Sequence, residues 1–218
     1  MGRNSGSIRE TIAGGGGGEV AFKTSGKRVG KRVIRKILQS MESLDSLKDR
    51  EVVKQLHKAV SRFESVMGVR ERSIKVADLS GVDAYGITFL NKNGSQGIVL
   101  NKTIFNGKRK EIESTFRKEN YDTGFQNKTN RPIQHALTHE LAHATWSSHY
   151  KDKKHQKAGI EIKKLYKKWR RDRKKTEYGE YGRTNVNEFW AEVIAKGIHG
   201  NPDKYTKRAI GIAKKYRL

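Results

Sequence analysis

The chain contains no cysteine. Disulfides, thiolate metal sites and a cysteine nucleophile are thereby excluded, and any metal must be held by His, Asp or Glu. Proline occurs twice, at Pro132 and Pro202, each where a helix is expected to begin. Acidic residues are few: 23 Asp and Glu stand against 47 Lys and Arg, for a net charge of +24. Such an excess draws nucleic acid, anionic surfaces or acidic proteins through long-range fields, and it speaks to association rather than fold. No apolar run approaches the ~20 residues of a membrane span. The N-terminus shows no apolar core followed by a small-residue cleavage site. The expectation is a soluble chain with no export signal or transmembrane segment of its own. Its location stays open between bacterial cytoplasm, phage virion and delivered effector.

What is present is a reactive helix. Residues 136 to 144 read Ala-Leu-Thr-His-Glu-Leu-Ala-His-Ala, with His139 and His143 four apart and Glu140 between them. This is the H-E-x-x-H pattern of zinc hydrolases. At about 100° per residue, i and i+4 share one helix face, so both imidazoles can reach one ion. Glu140 falls beside that face, within reach of a water but displaced from the ligand line. Leu137, Leu141 and Ala144 lie opposite and are expected to bury the helix on its other side. His135 stands one turn earlier, but Ala136 would then occupy the general-base slot, so the 139/143 pair is preferred.

Residues 1 to about 27 surround the run Gly14 to Gly18 and read as a flexible arm. Residues 28 to 40 suggest a short basic helix docked by Val29, Val33, Ile34, Ile37 and Leu38. From Ser46, the recurrence of Val53, Leu56, Val60, Phe63 and Met67 predicts a longer helix ending near Gly68. The period then changes. Ser73–Leu79, Tyr85–Leu90 and Gly97–Leu100 read as strands, and Asn93-Gly94 is a hairpin signal. Residues 107 to 120 suggest a solvated helix and 121 to 131 a loop. Residues 151 to 175 suggest a strongly basic helix with a seam of Ile160, Ile162, Leu165, Tyr166 and Trp169. Two more helices follow, over 185 to 199 and after the Asn201-Pro202-Asp203 cap. The fold class expected is α+β, mainly helical with a small sheet before the active-site helix. The division expected is an arm with a basic helix over 1–40 and a body over 41–218.

A His-Glu-x-x-His pair needs a third ligand, and two completions exist. His149 has the spacing of H-E-x-x-H-x-x-G-x-x-H, but Trp146 occupies the glycine position. Met1, Met41 and Met67 all precede the motif, so no methionine turn follows. The other completion draws on Asn187-Glu-Phe-Trp-Ala-Glu192. Glu188 would bind the metal, and Glu192, one turn on, would orient a ligating histidine. Alternatively, Glu188 serves a capping box with Asn185.

Tyr181-Gly-Arg-Thr-Asn185 followed by Glu188-Phe-Trp-Ala-Glu192 resembles the catalytic domain of anthrax lethal factor. That family of gluzincin metallopeptidases includes relatives associated with phage head-morphogenesis proteins. The resemblance spans roughly residues 70 to 200 and leaves out the basic arm and tail. It implies a zincin-like fold with Zn2+ on His139, His143 and Glu188. It further implies Glu140 as general base, Tyr181 as the oxyanion's partner, and Glu192 in support of the ligands. On residue chemistry alone, Tyr181 and Tyr178 are not distinguished.

The function expected is hydrolysis of peptide bonds by zinc-activated water, on a protein or peptide substrate that the charge would bias towards acidic. The alternative is a basic nucleic-acid-associated or phage virion structural protein whose zinc site is vestigial or structural. The basic helices leave room for nucleic acid beside either function.

Overall fold

Helical periodicity dominates the chain, and helices dominate the computed structural model, which describes residues 23–24, 27–28, 31–69, 73–80, 82, 84–90, 96–146, 153–172 and 178–218. The Gly14–Gly18 run, the Asn93-Gly94 turn and His149 lie outside the described residues. A two-residue ladder pairs β1 (Lys23–Thr24) with β2 (Lys27–Arg28). Helix α1 (Lys31–Gln39) follows, then a single 3-10 turn over Leu44–Ser46. Helix α2 (Arg50–Met67) is capped by the Asp49 carboxylate, which accepts from the Glu51 amide, and ends at Gly68 in the left-handed region. The helix therefore begins four residues later than the periodicity suggested, because Asp49 and not Ser46 supplies the cap. Its expected apolar stripe is buried throughout.

Three strands form the main sheet: β3 (Ser73–Ala77), β4 (Gly86–Leu90) and β5 (Gln96–Asn101). Their order is β3-β5-β4. β4 and β5 pair antiparallel, as the hairpin signal predicts, while β3 lies parallel to β5 on its far side. Side chains alternate across the sheet with period two. Ile74, Val76, Ile98 and Leu100 face the helical core. Ala77, Ile87 and Val99 face the other way, where Ile34 and Ile37 of α1 cover them. α1 thus docks on the body by its apolar stripe, although Leu38 stays exposed. The outer side of β3 carries one bridge, Val76 to Glu42. β4 is the opposite edge and runs beside the reactive helix.

A one-turn helix, α3 (Lys102–Phe105), leads into α4 (Arg109–Phe116). The solvated helix expected here is corrected by the structure: Ile112 and Phe116 are buried, and a π turn over Arg117–Tyr121 carries Asn120 and Tyr121 into the core. Phe116 stacks on Tyr85 at 4.6 Å, and the Tyr85 hydroxyl donates to Glu119 at 2.9 Å. An aromatic anchor on the sheet therefore holds a segment whose charges alone suggest exposure.

Helix α5 (Pro132–Trp146) begins with proline at its first position. It was expected to bury one face; instead every one of its residues is buried. α2, the sheet and α8 surround it. The basic helix α6 (Lys153–Arg171) packs by Ala158, Gly159, Ile162, Leu165 and Trp169, while Ile160 points outward. α7 (Gly179–Thr184), α8 (Val186–His199) and α9 (Lys204–Tyr216) complete the fold. The result is α+β and mainly helical. Among the described residues no helix is long and apolar enough to cross a membrane.

Candidate metal centre

α5 and α8 run antiparallel and face each other with polar side chains. On α5, His135, His139 and His143 recur every four residues and share a face. On α8, Glu188 and Glu192 do the same. Glu188 meets the C-terminal end of the histidine row: its Oε2 lies 3.0 Å from His143 Nε2 and 3.3 Å from His139 Nε2. The two Nε2 atoms are themselves 3.0 Å apart. Glu192 meets the other end, with Oε1 3.0 Å from His139 Nδ1 and Oε2 3.4 Å from His135 Nε2. All five side chains are buried. The structure thus brings the expected ligands His139, His143 and Glu188 together, with Glu192 behind them.

Three donors at 2.0–2.1 Å from a tetrahedral ion stand ~3.3 Å apart. The observed separations of 3.0, 3.0 and 3.3 Å match that within a few tenths of an ångström. The donor set is chemically right as well. Two imidazole nitrogens and one carboxylate oxygen suit a divalent ion of intermediate softness. Glu192 at His139 Nδ1 is the carboxylate–histidine arrangement that fixes a ligating ring, although the two atoms sit out of line for a straight hydrogen bond. Asn127 donates to Glu192 Oε2 at 3.2 Å and holds it from the other side.

Local sequence sets the elements in register. The Asn185 side chain accepts from the backbone amides of Asn187 and Glu188, so it caps α8. The Glu188 carboxylate does not return to close a capping box; it reaches across to the two histidines. Trp190 on another face of α8 donates from Nε1 to the Ala142 carbonyl at 3.1 Å and locks α8 to α5.

The electrostatics follow from burial and mutual charge. For His139, burial opposes the proton, but the Glu188 and Glu192 carboxylates outweigh it and push the imidazole up to about 10. Burial likewise works against the Glu188 carboxylate, yet His143 and His139 hold it down at about 2. Glu192 is also held low, against its burial, by His135 and His139. Glu140 differs. Burial raises its pKa, and neither of its oxygens has a hydrogen-bond partner. It lies against β4: the Thr88 hydroxyl donates to its backbone carbonyl at 3.4 Å, and a side chain added at Gly86 would come within 2.9 Å of its Cγ.

Tyr181 stacks over His139 with ring centroids 5.6 Å apart, and Phe125 backs it at 4.8 Å. Its amide donates to the Phe125 carbonyl at 2.8 Å. Gly179, at φ +68, lets α7 start directly against that carbonyl. Tyr178 is separated from Tyr181 by this geometry, because its hydroxyl donates to both Asp203 oxygens at 2.8 Å.

One histidine that the sequence passed over as a ligand is internal. His135 is 1% exposed, and with His139 and Glu192 it forms a second group able to hold a metal ion. The four-residue spacing His135–His139–His143 was the available signal. A cavity of about 1030 Å³ borders none of these donors; one of about 420 Å³ reaches His135.

Fold and cluster together define a mainly helical α+β protein with buried His and Glu side chains that can bind a metal ion. Compared with known proteins, the chain matches no family model, no curated protein and no solved structure.

Proposed function

We propose that this protein is a zinc-dependent endopeptidase of the gluzincin type, related to the lethal factor-like enzymes its motifs resemble. One observation carries the reading. His139, His143 and Glu188 converge at 3.0–3.3 Å, beside a buried Glu140 carboxylate that packing leaves unpartnered. Those three residues would hold Zn2+, which supplies a Lewis acid for the scissile carbonyl and acidifies the attacking water. Glu140 accepts the water's proton and returns it to the leaving amine. Burial raises its pKa, the direction that makes a carboxylate a stronger base. Tyr181, stacked on a ligand ring, donates its hydroxyl to the developing oxyanion. Glu192 orients His139. The outer edge of β4, which has no strand partner among the described residues, would pair with an extended peptide by backbone hydrogen bonds. The net charge of +24 favours acidic segments of a protein substrate.

The charge also suits the rival, a nucleic-acid-associated or virion structural protein with a structural zinc site. Such a site has no use for a buried, unpartnered carboxylate at Glu140. The test is metal analysis and proteome-wide cleavage profiling of wild type, Glu140→Gln and Glu188→Ala. Wild type should carry one zinc and cleave. Glu140→Gln should keep the zinc and lose at least ~100-fold in turnover. Glu188→Ala should lose the zinc. A wild-type chain that binds no zinc, or a Glu140→Gln chain that cleaves normally, overturns the proposal.

A further inference from the structure

A cavity of about 1030 Å³ lies away from the metal centre, between α2 and the start of α5. α2 reads from sequence as scaffold, and its buried stripe serves that purpose. Its outer face carries Arg50, Lys54, Lys58 and Arg62, each four residues after the last, and all four are exposed. At a rise of 1.5 Å per residue they form a row of cations ~6 Å apart and ~18 Å long. Arg109 and Arg131 face them from the opposite wall. Among the described residues Glu113 is the only carboxylate in the lining, and Arg109 binds it at 2.8 Å. Arg50, Lys58 and Arg131 have no carboxylate at ion-pair distance among the described residues.

We infer that this groove binds the phosphate backbone of duplex nucleic acid. Its cations are mainly arginines, whose planar forks suit phosphate oxygens. Ser61, Ser65, Asn130 and Gln134 add neutral donors of the kind that position a backbone. Among the described residues no Phe, Tyr or Trp lines it, so unpaired bases would find nothing there to stack on, and this favours a duplex over a single strand. Laid along the duplex axis, a row of ~18 Å covers the rise of about five base steps, at ~3.4 Å per phosphate of one strand. The groove shares no lining residue with the metal centre, so the inference stands apart from the peptidase reading.

The test is fluorescence anisotropy of the full chain with a labelled 20-base-pair duplex across salt concentrations. One variant is Lys58→Gln/Arg62→Gln. A control, Lys164→Gln/Lys168→Gln, removes the same charge from exposed positions of α6. Circular dichroism checks that both fold. The groove variant should bind at least tenfold more weakly and flatten the slope of log K against log salt by about 2. The α6 control should change affinity less than threefold. The inference is overturned if wild type does not bind duplex, or if the α6 control loses as much as the groove variant. It is equally overturned if single strands bind more tightly, or if polyglutamate of equal charge competes as well as duplex, which would make the partner an acidic protein.

Discussion

A buried carboxylate with two unsatisfied oxygens costs free energy unless it is neutral or has work to do. Glu140 is in that position one residue from His139, while Glu188 and Glu192, equally buried, are held ionised by histidines. Three glutamates on two helices thus fall into different protonation regimes, as acid–base chemistry requires. A first prediction concerns His139. Its imidazole, pushed up to about 10 by two carboxylates, carries a proton at pH 7 in the metal-free site. A ligating imidazole must be neutral, so zinc uptake should expel that proton and zinc affinity should rise with pH. Calorimetry in buffers of different ionisation enthalpy reads the proton release; uptake with no buffer dependence would contradict it. A second prediction separates the two tyrosines. Tyr181→Phe should cut turnover by ~100-fold or more in the folded fraction. Tyr178→Phe removes a hydroxyl held by Asp203 and should cost about 1.5–3 kcal/mol of stability while sparing turnover in the folded fraction. Thermal melts and assays of both variants decide it.

Between elements, the decisive contact is α5 against α8, because it turns two i,i+4 rows into one cluster. The contact that shapes Glu140 is β4 against α5. Gly86 leaves room for Glu140, and a methyl there would approach its Cγ at 2.9 Å and the Leu100 side chain at 3.1 Å. Gly86→Ala should leave the fold and the zinc content intact, since side chains can move by tenths of an ångström. It should displace Glu140 and lower kcat at least tenfold, as loss of positioning does in general-base catalysis. Unchanged kcat in Gly86→Ala would mean the β4 contact does not set the base.

At the scale of the whole molecule, two charge systems coexist. One is the dense surface excess of cations, gathered on the outer faces of α2, α6 and α9. The other is an interior polar layer between α5 and α8, extended by His199. That residue is buried, with Nε2 2.6 Å from the Thr138 hydroxyl. Burial, with His135 and Arg131 nearby, pulls its pKa down to about 3. The folded value lies below the unfolded one, near 6.5, so the unfolded chain binds more protons between the two. His199 therefore contributes fully above about pH 6.5, and its contribution fades as pH falls towards 3, by on the order of 5 kcal/mol at most. Denaturant melts of His199→Gln should show a shallower loss of stability over that window than wild type; parallel curves would refute the assignment.

Local rules made much of this protein readable. The turn of 100° per residue already put His139 and His143 on one side of a helix, and period-two alternation already marked the strands. Asn185 announced where α8 begins. Those features depend on neighbours within a turn or a pleat, so spacing along the chain suffices. Burial of the whole of α5 was not readable, because its histidine face is covered by Glu188 and Glu192 of α8, some fifty positions away. The insertion of Tyr121, the pairing of His135 with Glu192 and the groove between α2 and α5 were hidden for the same reason. Each depends on which helix faces arrive opposite one another, and that is decided by how the apolar surfaces of distant segments pack together.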